Sequence, residues 1–536
     1  MITIKKYLFL FLILILTQLN LQEKSYKGLI QDGRFKYIQI QDFIHFQFKS
    51  FERHYPDTEL DQDFSHRIYK LPFEHYVPPK VYSVFPWVWT VMNVPFYMLL
   101  PYPGLFLISF SFGGISIYYF YKVLVNLGVP GKVQKYSILF YILSTPLVIY
   151  SSWYYEATFC SFLLYFSIAS FTENFRNFEV SKLKYFFSGI ITGFHLFLRI
   201  EVGFLNGVLI SLIAYSYYLL EKKKGLQENQ NLRRKYLFGY SLFILGVLIL
   251  FVIHLWTNKL IYGIYEPLIF YDVIDQGLKH RFLNLLGYLF TYKFSLLIYF
   301  PVSFYTLFLL RKGKNFLHSE QNLTLKFILI GAWIFMLLLP VVASQQQGMD
   351  MTPRYFFPIL PLVSVFLFQR YEELDSKKWV YTLTILYSSL FIFIFSLLSI
   401  FTTRQVAKSS KAIGPYIGET NLVSFVNIND YVYNYPNKNY YLCDTKDELL
   451  EWNQKIIEKT KVRPRIILQK MGKPQKSKSI FHSEDEFELY KVMYDTYREI
   501  YSLEKEKIYF EDDRFIIFDL TSPEYNERKN NFSESD

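Results

Sequence analysis

Tyr236–Trp256 reads YLFGYSLFILGVLILFVIHLW and holds no charged residue. Wound as an α-helix at 1.5 Å per residue, it reaches about 30 Å, the thickness of a bilayer's hydrocarbon core. Uncharged runs recur at Tyr7–Leu21, Val202–Leu220 and Trp379–Phe401. A soluble chain of 536 residues would show amphipathic stretches rather than such runs. The sequence is 52% hydrophobic and 20% aromatic, yet its mean hydropathy is only +0.15. Two polar regions, 23–82 and 402–536, dilute the apolar ones.

Extended along the chain, the same reading predicts eleven spans: 7–21, 104–124, 136–150, 157–171, 185–198, 202–220, 236–256, 294–310, 327–343, 355–369 and 379–401. With a cytoplasmic N-terminus, the loops expected inside carry 21 Lys and Arg residues, among them Lys222, Lys223, Lys224, Arg233, Arg234 and Lys235. The short loops expected outside carry six: Arg199, Lys259, Lys279, Arg281, Lys293 and Arg354. This asymmetry is the positive-inside signature and sets the orientation. It also explains the net charge of +11 without nucleic acid as a partner, because the cations are spread over short loops. Segment 23–103 and the tail then lie outside. Within the loop, Val81–Leu100 is apolar and aromatic but broken by Pro86 and Pro95, and reads as a helix lying at the interface.

The N-terminal Lys5-Lys6 and the apolar stretch after them are followed by no small-residue cleavage site, so the stretch reads as an uncleaved first span. Two cysteines, Cys160 and Cys443, exclude a disulfide framework and a cysteine metal site. In the tail, Tyr440–Leu442, Arg465–Leu468 and Phe515–Phe518 read as strands and Asp447–Lys459 as a helix. Lys408–Gly418 is expected to be a flexible link. The organisation expected is a membrane domain over 1–401, including the outside loop 23–103, and a soluble domain over 402–536.

The topology gathers ionisable residues on the outer side. Asp32 follows the first span, Glu156 lies between the third and fourth, Arg199 and Glu201 between the fifth and sixth, and Arg354 before the tenth. Ionisable groups at that depth are costly and often functional. Each also has a plain structural reading: Asp32 as a solvated loop acid, Glu156 as a helix end, Arg199 with Glu201 as an ion pair, Arg354 as a cation reaching the headgroups. His45, His54, His66 and His75 in the first loop match no ligand spacing, and His195 reads as a packed helix residue.

Asp32-Gly33-Arg34-Phe35-Lys36-Tyr37, Glu74-His75-Tyr76-Val77-Pro78-Pro79-Lys80, Ser151–Glu156, Gly193–Gly203 and Thr352–Pro361 occur in an order that resembles the GT-C superfamily of membrane glycosyltransferases. The resemblance is to the branch of the protein mannosyltransferases and the lipid A aminoarabinose transferases, and covers about residues 1–400. The sequence departs from the pattern in having Asp-Gly where many members have Asp-Glu, which makes Asp42 an alternative acid, and Glu156 where many have Asp. The resemblance implies an all-α polytopic membrane bundle of about eleven transmembrane helices, GT-C-like, ahead of the small soluble α+β C-terminal domain. It implies an inverting transfer of a sugar from a polyprenyl-phosphate carrier to a glycan, lipid or protein acceptor of the cell envelope, at a bacterial-type inner membrane. On that reading Asp32 is the general base and Glu156 orients the acceptor or holds the sugar. Arg199 and Arg354 bind the donor phosphate, with Lys279, Arg281 and Lys293 as secondary cations. Asp42, His75, Glu201 and Tyr355 are further candidates. The resemblance names no metal ligand and leaves a divalent-metal requirement open. Two other classes compete: a transporter or flippase of a polyprenyl-linked glycan, which needs ionisable residues deep in several spans, and a non-catalytic scaffold.

Overall fold

The computed structural model describes residues 2–29, 31–54, 60–61, 66, 74–77, 79–176, 181–223, 230–268, 285–286, 289, 296–312, 320–342, 356–374, 376–424, 439–443, 445–471, 484–503, 508–511 and 514–519. The chain divides into two compact units. The first comprises Met1–Gln22, Lys49–Phe51 and Val84–Phe401; the second comprises Glu23–Phe48, Glu52–Ser83 and Thr402–Asp536.

The first unit is a bundle of helices: α1 (Ile2–Leu21), α3 (Trp87–Leu99), α4 (Pro101–Asn126), α5 (Gly131–Leu143), α6 (Leu147–Ser151), α7 (Ala157–Arg176), α8 (Lys182–Phe194), α9 (Ile200–Lys223), α10 (Gln230–Tyr262), α11 (Leu296–Tyr299), α12 (Val302–Lys312), α13 (Glu320–Val342), α14 (Leu360–Glu373) and the greater part of α15 (Lys378–Ile413). Each expected span has a helical counterpart. Among the described residues, five helices are long and apolar enough to cross a membrane: Ile4–Leu21, Pro101–Asn126, Ile200–Leu219, Leu237–Tyr262 and Lys378–Tyr416. Ala157–Glu173 and Leu323–Leu338 are apolar but shorter. Two expected single spans are broken where proline removes a helical donor: 136–150 at Pro146, between α5 and α6, and 294–310 at Pro301, between α11 and α12. The expected span 185–198 ends as a helix at Phe194, with a 3₁₀ turn over His195–Phe197.

Helices α8 and α10 pack through glycine. A Cβ at Gly189 would stand 2.1 Å from the Phe243 carbonyl oxygen, and one at Gly246 2.6 Å from that of Phe186. Helices in a bilayer gain little from hydrophobic burial, so close backbone approach at small residues holds them together. Buried hydroxyls add to this: Ser167 Oγ lies 2.8 Å from Ser188 Oγ and 2.9 Å from Thr192 Oγ1, and Asn206 Nδ2 donates to Thr192 Oγ1 at 3.0 Å.

The second unit contains α2 (Gln31–His45), a hairpin of β1 (Glu74–Val77) and β2 (Lys80–Ser83), and a five-stranded sheet. The sheet strands are β3 (Thr420–Ser424), β4 (Asn439–Cys443), β5 (Arg465–Gln469), β6 (Ile508–Glu511) and β7 (Phe515–Asp519), in the order β4-β3-β5-β7-β6. β3 pairs parallel with β4 and β5, and β7 antiparallel with β5 and β6. Alternation along each strand feeds two cores. Leu422, Tyr441, Ile466, Leu468, Ile516 and Phe518 meet Leu449, Trp452 and Ile456 of α16 (Lys446–Thr460) and Ile500 of α17 (Glu484–Leu503). Val423, Leu442, Ile467, Phe515 and Ile517 meet Ile413 and Ile417. Helix α16 starts on a capping box, with Glu448 N donating to Thr445 Oγ1 at 3.2 Å and Thr445 N to Glu448 Oε2 at 3.3 Å. The segment expected to be a flexible link instead begins with the last turns of α15, where Ser410 and Ile413 are fully buried, and goes on in a 3₁₀ turn over Gly414–Tyr416.

The first loop contributes to this unit. Leu442 N donates to the His66 carbonyl at 2.7 Å, so His66 covers the edge strand β4. Leu60 enters the α16-side core, and His66 Nδ1 lies 3.0 Å from Glu448 Oε1.

Candidate functional site

In the first unit, the Ser152–Glu156 stretch joins α6 to α7, and Glu156 ends it 6% exposed. Glu156 O accepts from Cys160 N at 2.9 Å, which makes Glu156 the residue that opens α7. A carboxylate there complements the positive end of the helix dipole. The stretch is fixed from three sides. Gln22 Nε2 donates to Ser152 Oγ at 3.0 Å, Ser109 Oγ donates to Tyr155 O at 2.7 Å, and Trp89 of α3 stacks on Tyr154 at 5.9 Å. Burial, and then the Glu156 carboxylate, push the Tyr154 phenol well above its usual value. Such a phenol stays a neutral donor at any physiological pH.

Arg199 sits in the turn between α8 and α9, and its Nε donates to Glu201 Oε1 at 2.6 Å. Glu201 lies in the first turn of α9, again at a helix N-terminus. The turn is tied to α7 by His195, whose Nε2 lies 3.1 Å from Cys160 O, one turn past Glu156. Glu156 and the Arg199–Glu201 pair are thus held on adjacent elements. Phe197 links the turn to Trp87 of α3 at 6.1 Å and to His254 of α10 at 4.8 Å. His195 is the packed residue that its place in an apolar helix suggested.

In the second unit, Asp32 occupies the first turn of α2, also at a helix N-terminus. Asp42, further along the same helix, pairs with Arg53, with side chains 9% and 12% exposed. α2 buries charge heavily, for Arg34 and Lys36 are each 1% exposed and Arg34 Nη2 donates to Leu29 O. Sequence reasoning missed Arg53, Lys36, Trp89 and Tyr154. The only signal for Lys36 was its place in the Asp32–Tyr37 motif, and none marked Arg53. His75 lies in β1, opposite Tyr82. Arg354, Tyr355, Lys279, Arg281 and Lys293 lie outside the described residues. Among the described residues no group of three or more His, Cys, Asp or Glu side chains gathers as a metal site.

No protein-family model matches the sequence, and no curated protein matches it. Solved structures do. The crystal structure of ArnT from Cupriavidus metallidurans bound to undecaprenyl phosphate is similar over 96% of this chain and 97% of that one, with a TM-score of 0.53 at 9% identity. Its apo state is similar over 96% of both chains, with a TM-score of 0.49 at 10% identity. At such identity the likeness concerns the path of the chain. That path is the one the motif order implied: the chain has the polytopic membrane fold of ArnT.

Proposed function

We propose that this protein is a membrane glycosyltransferase that takes a sugar from a polyprenyl-phosphate carrier and transfers it, with inversion, to a glycan, lipid or protein acceptor of the cell envelope. The observation that carries the proposal is the likeness, over nearly the whole chain, to ArnT bound to undecaprenyl phosphate. The buried acid Glu156 and the cation Arg199 on adjacent elements support it.

In the proposed reaction the acceptor's hydroxyl or amine attacks the anomeric carbon, and the phosphate leaves with the carrier. Asp32 takes the acceptor's proton as it attacks. Glu156 orients the acceptor or holds the sugar, and Tyr154 beside it supplies a neutral donor. The donor's phosphate is met by Arg354 and Arg199, with Lys279, Arg281 and Lys293 as further cations. Glu201 holds the Arg199 guanidinium through Nε and offsets part of its charge. Arg354 is accordingly assigned the larger share of phosphate binding. The N-terminus is proposed to be cytoplasmic, and the second unit to lie outside a bacterial-type inner membrane.

The test is transfer of label from a panel of polyprenyl-phosphate sugars by the purified protein in nanodiscs, with membrane-extract glycans, lipids and proteins as acceptors. Label on an acceptor, lost in Asp32→Asn, is expected. Carrier movement across the bilayer without label transfer would favour a flippase and end the proposal.

A further inference from the structure

His254 lies in the C-terminal third of α10 and is 6% exposed. Its Nε2 is 3.3 Å from Nδ2 of Asn258, one turn on. That amide nitrogen also donates to the Tyr265 carbonyl at 3.3 Å, which an amide oxygen could not do. The Asn258 amide is thereby oriented, and Nε2 of His254 must be the accepting nitrogen. In the neutral imidazole the proton then sits on Nδ1. Nδ1 is buried and has no hydrogen-bond partner among the described residues. A buried donor left unmade is costly and calls for an acceptor from elsewhere.

The surroundings indicate which acceptor. Trp256 is 60% and Tyr265 55% exposed, the pattern of side chains at the level of lipid headgroups. Lys259 stands at the same helix end, its Nζ donating to Gly263 O at 2.6 Å, and Gly263 closes the helix with φ +77°. Phe197, two residues before Arg199, packs edge-on against the imidazole at 4.8 Å. One buried open donor, with the Lys259 cation at the same helix end and the Arg199 turn packed against the ring through Phe197, suits an anion on a lipid.

We propose that His254 Nδ1–H donates a hydrogen bond to a phosphate oxygen of the polyprenyl-phosphate carrier, with Asn258 setting the tautomer that makes this possible. The inference rests on the carrier reading given above and adds a phosphate contact on α10 to it.

The test uses the full chain in phosphatidylcholine nanodiscs, titrated separately with undecaprenyl phosphate, undecaprenol and phosphatidylglycerol. His254→Phe keeps a ring against Phe197 and removes the donor. It should weaken undecaprenyl-phosphate binding about tenfold or more, the scale of a hydrogen bond to a charged group, and leave undecaprenol unaffected. His254→Asn places its amide nitrogen where Nδ1 stands and should retain most of the affinity. His254→Gln reaches the Nε2 position and should not. Should His254→Phe fail to fold, the Asn and Gln variants decide alone. Equal loss in those two, or a parallel loss of undecaprenol binding, would show a packing role and overturn the inference. A loss confined to phosphatidylglycerol would assign the contact to bulk lipid and overturn it too. Failure of the wild type to bind undecaprenyl phosphate would refute the carrier reading itself. Wild-type binding matched by His254→Phe would refute only the contact.

Discussion

Gly189→Ala should loosen the α8–α10 pair, although alanine is the better helix former. The added methyl would sit 2.1 Å from the Phe243 carbonyl oxygen, well inside the 3.4 Å at which ordinary contact begins. The obstacle is the backbone of α10, which no rotamer change can move aside. The two helices must therefore part by about 1 Å or more along their contact, and Gly246 and Gly193 lose their close approach together. Overpacking of this kind costs about 1–3 kcal/mol, against a gain of up to about 1 kcal/mol from replacing a helical glycine. Gly207→Ala in α9 is the control, because a Cβ there meets nothing within 4 Å. That variant should be neutral or stabilised by as much as about 1 kcal/mol. Cys160 is a buried cysteine of the first unit, outside any disulfide among the described residues, and a ready reporter. With Cys443→Ser as background, a thiol-reactive dye followed through a thermal ramp in detergent reads unfolding of that unit alone. Gly189→Ala should melt earlier than its parent and Gly207→Ala no earlier. Equal midpoints for the parent and Gly189→Ala would refute the argument from glycine packing.

Four other outcomes can be checked. Asp32→Asn should lower the transfer rate about 10²–10⁴-fold with little change in carrier affinity, whereas Arg354→Ala should weaken carrier binding more than the bound-state rate; both are read from single-turnover label transfer. Asp42→Asn should cost the second unit about 1.5–3 kcal/mol, the scale of a hydrogen bond between charged groups, by weakening the pair with Arg53, measured by dye reaction at Cys443 in a Cys160→Ser background, and a wild-type midpoint would contradict the pairing. Burial raises the Glu23 pKa, but hydrogen bonds from Ser25 and Lys411 outweigh it and hold the carboxyl below its usual range. Its contribution is therefore present at neutral pH and lost as pH falls through the lowered value. Glu23→Gln should flatten that acid limb by at most about 1 kcal/mol, since Lys411 is 54% exposed. Finally, single cysteines replacing Lys49 or Glu458 should react with an impermeant thiol reagent on intact cells, and one replacing Glu228 only after lysis; labelling at 228 from outside would reverse the proposed orientation.

Much of the fold was legible because it is written locally. An uncharged run such as Tyr236–Trp256 has one low-energy state in lipid, a helix that satisfies its own backbone. Its helix, Gln230–Tyr262, indeed contains that run and extends past both ends. Strands β4, β5 and β7 were visible for similar reasons, in short apolar runs, and helix α16 in Asp447–Lys459. Strands β3 and β6 and helix α17 were missed, because Thr420–Ser424 and Ile508–Glu511 carry polar residues that only their neighbours in the sheet make tolerable. Of the candidate site, the helix-terminal places of Asp32, Glu156 and Glu201 could have been read from flanking apolar runs. The Asp42–Arg53 pair could not, since its members stand eleven positions apart, one in α2 and the other beyond its end.

The sequence by itself determined that this is a polytopic membrane protein, where its long apolar helices fall, and the ArnT-like path its motif order implied. Transfer free energy and helix propensity are properties of a stretch of chain, so they can be read stretch by stretch. The tertiary structure alone decided that Leu60 and His66 of the first loop complete the core and edge of the tail's sheet, that α15 continues into that unit, and that His195 ties the Arg199 turn to the helix opened by Glu156. Each of these is a contact between groups far apart in the chain. Its energy comes from one hydrogen bond or one buried face that exists only once both partners are in place, and no local pattern records it.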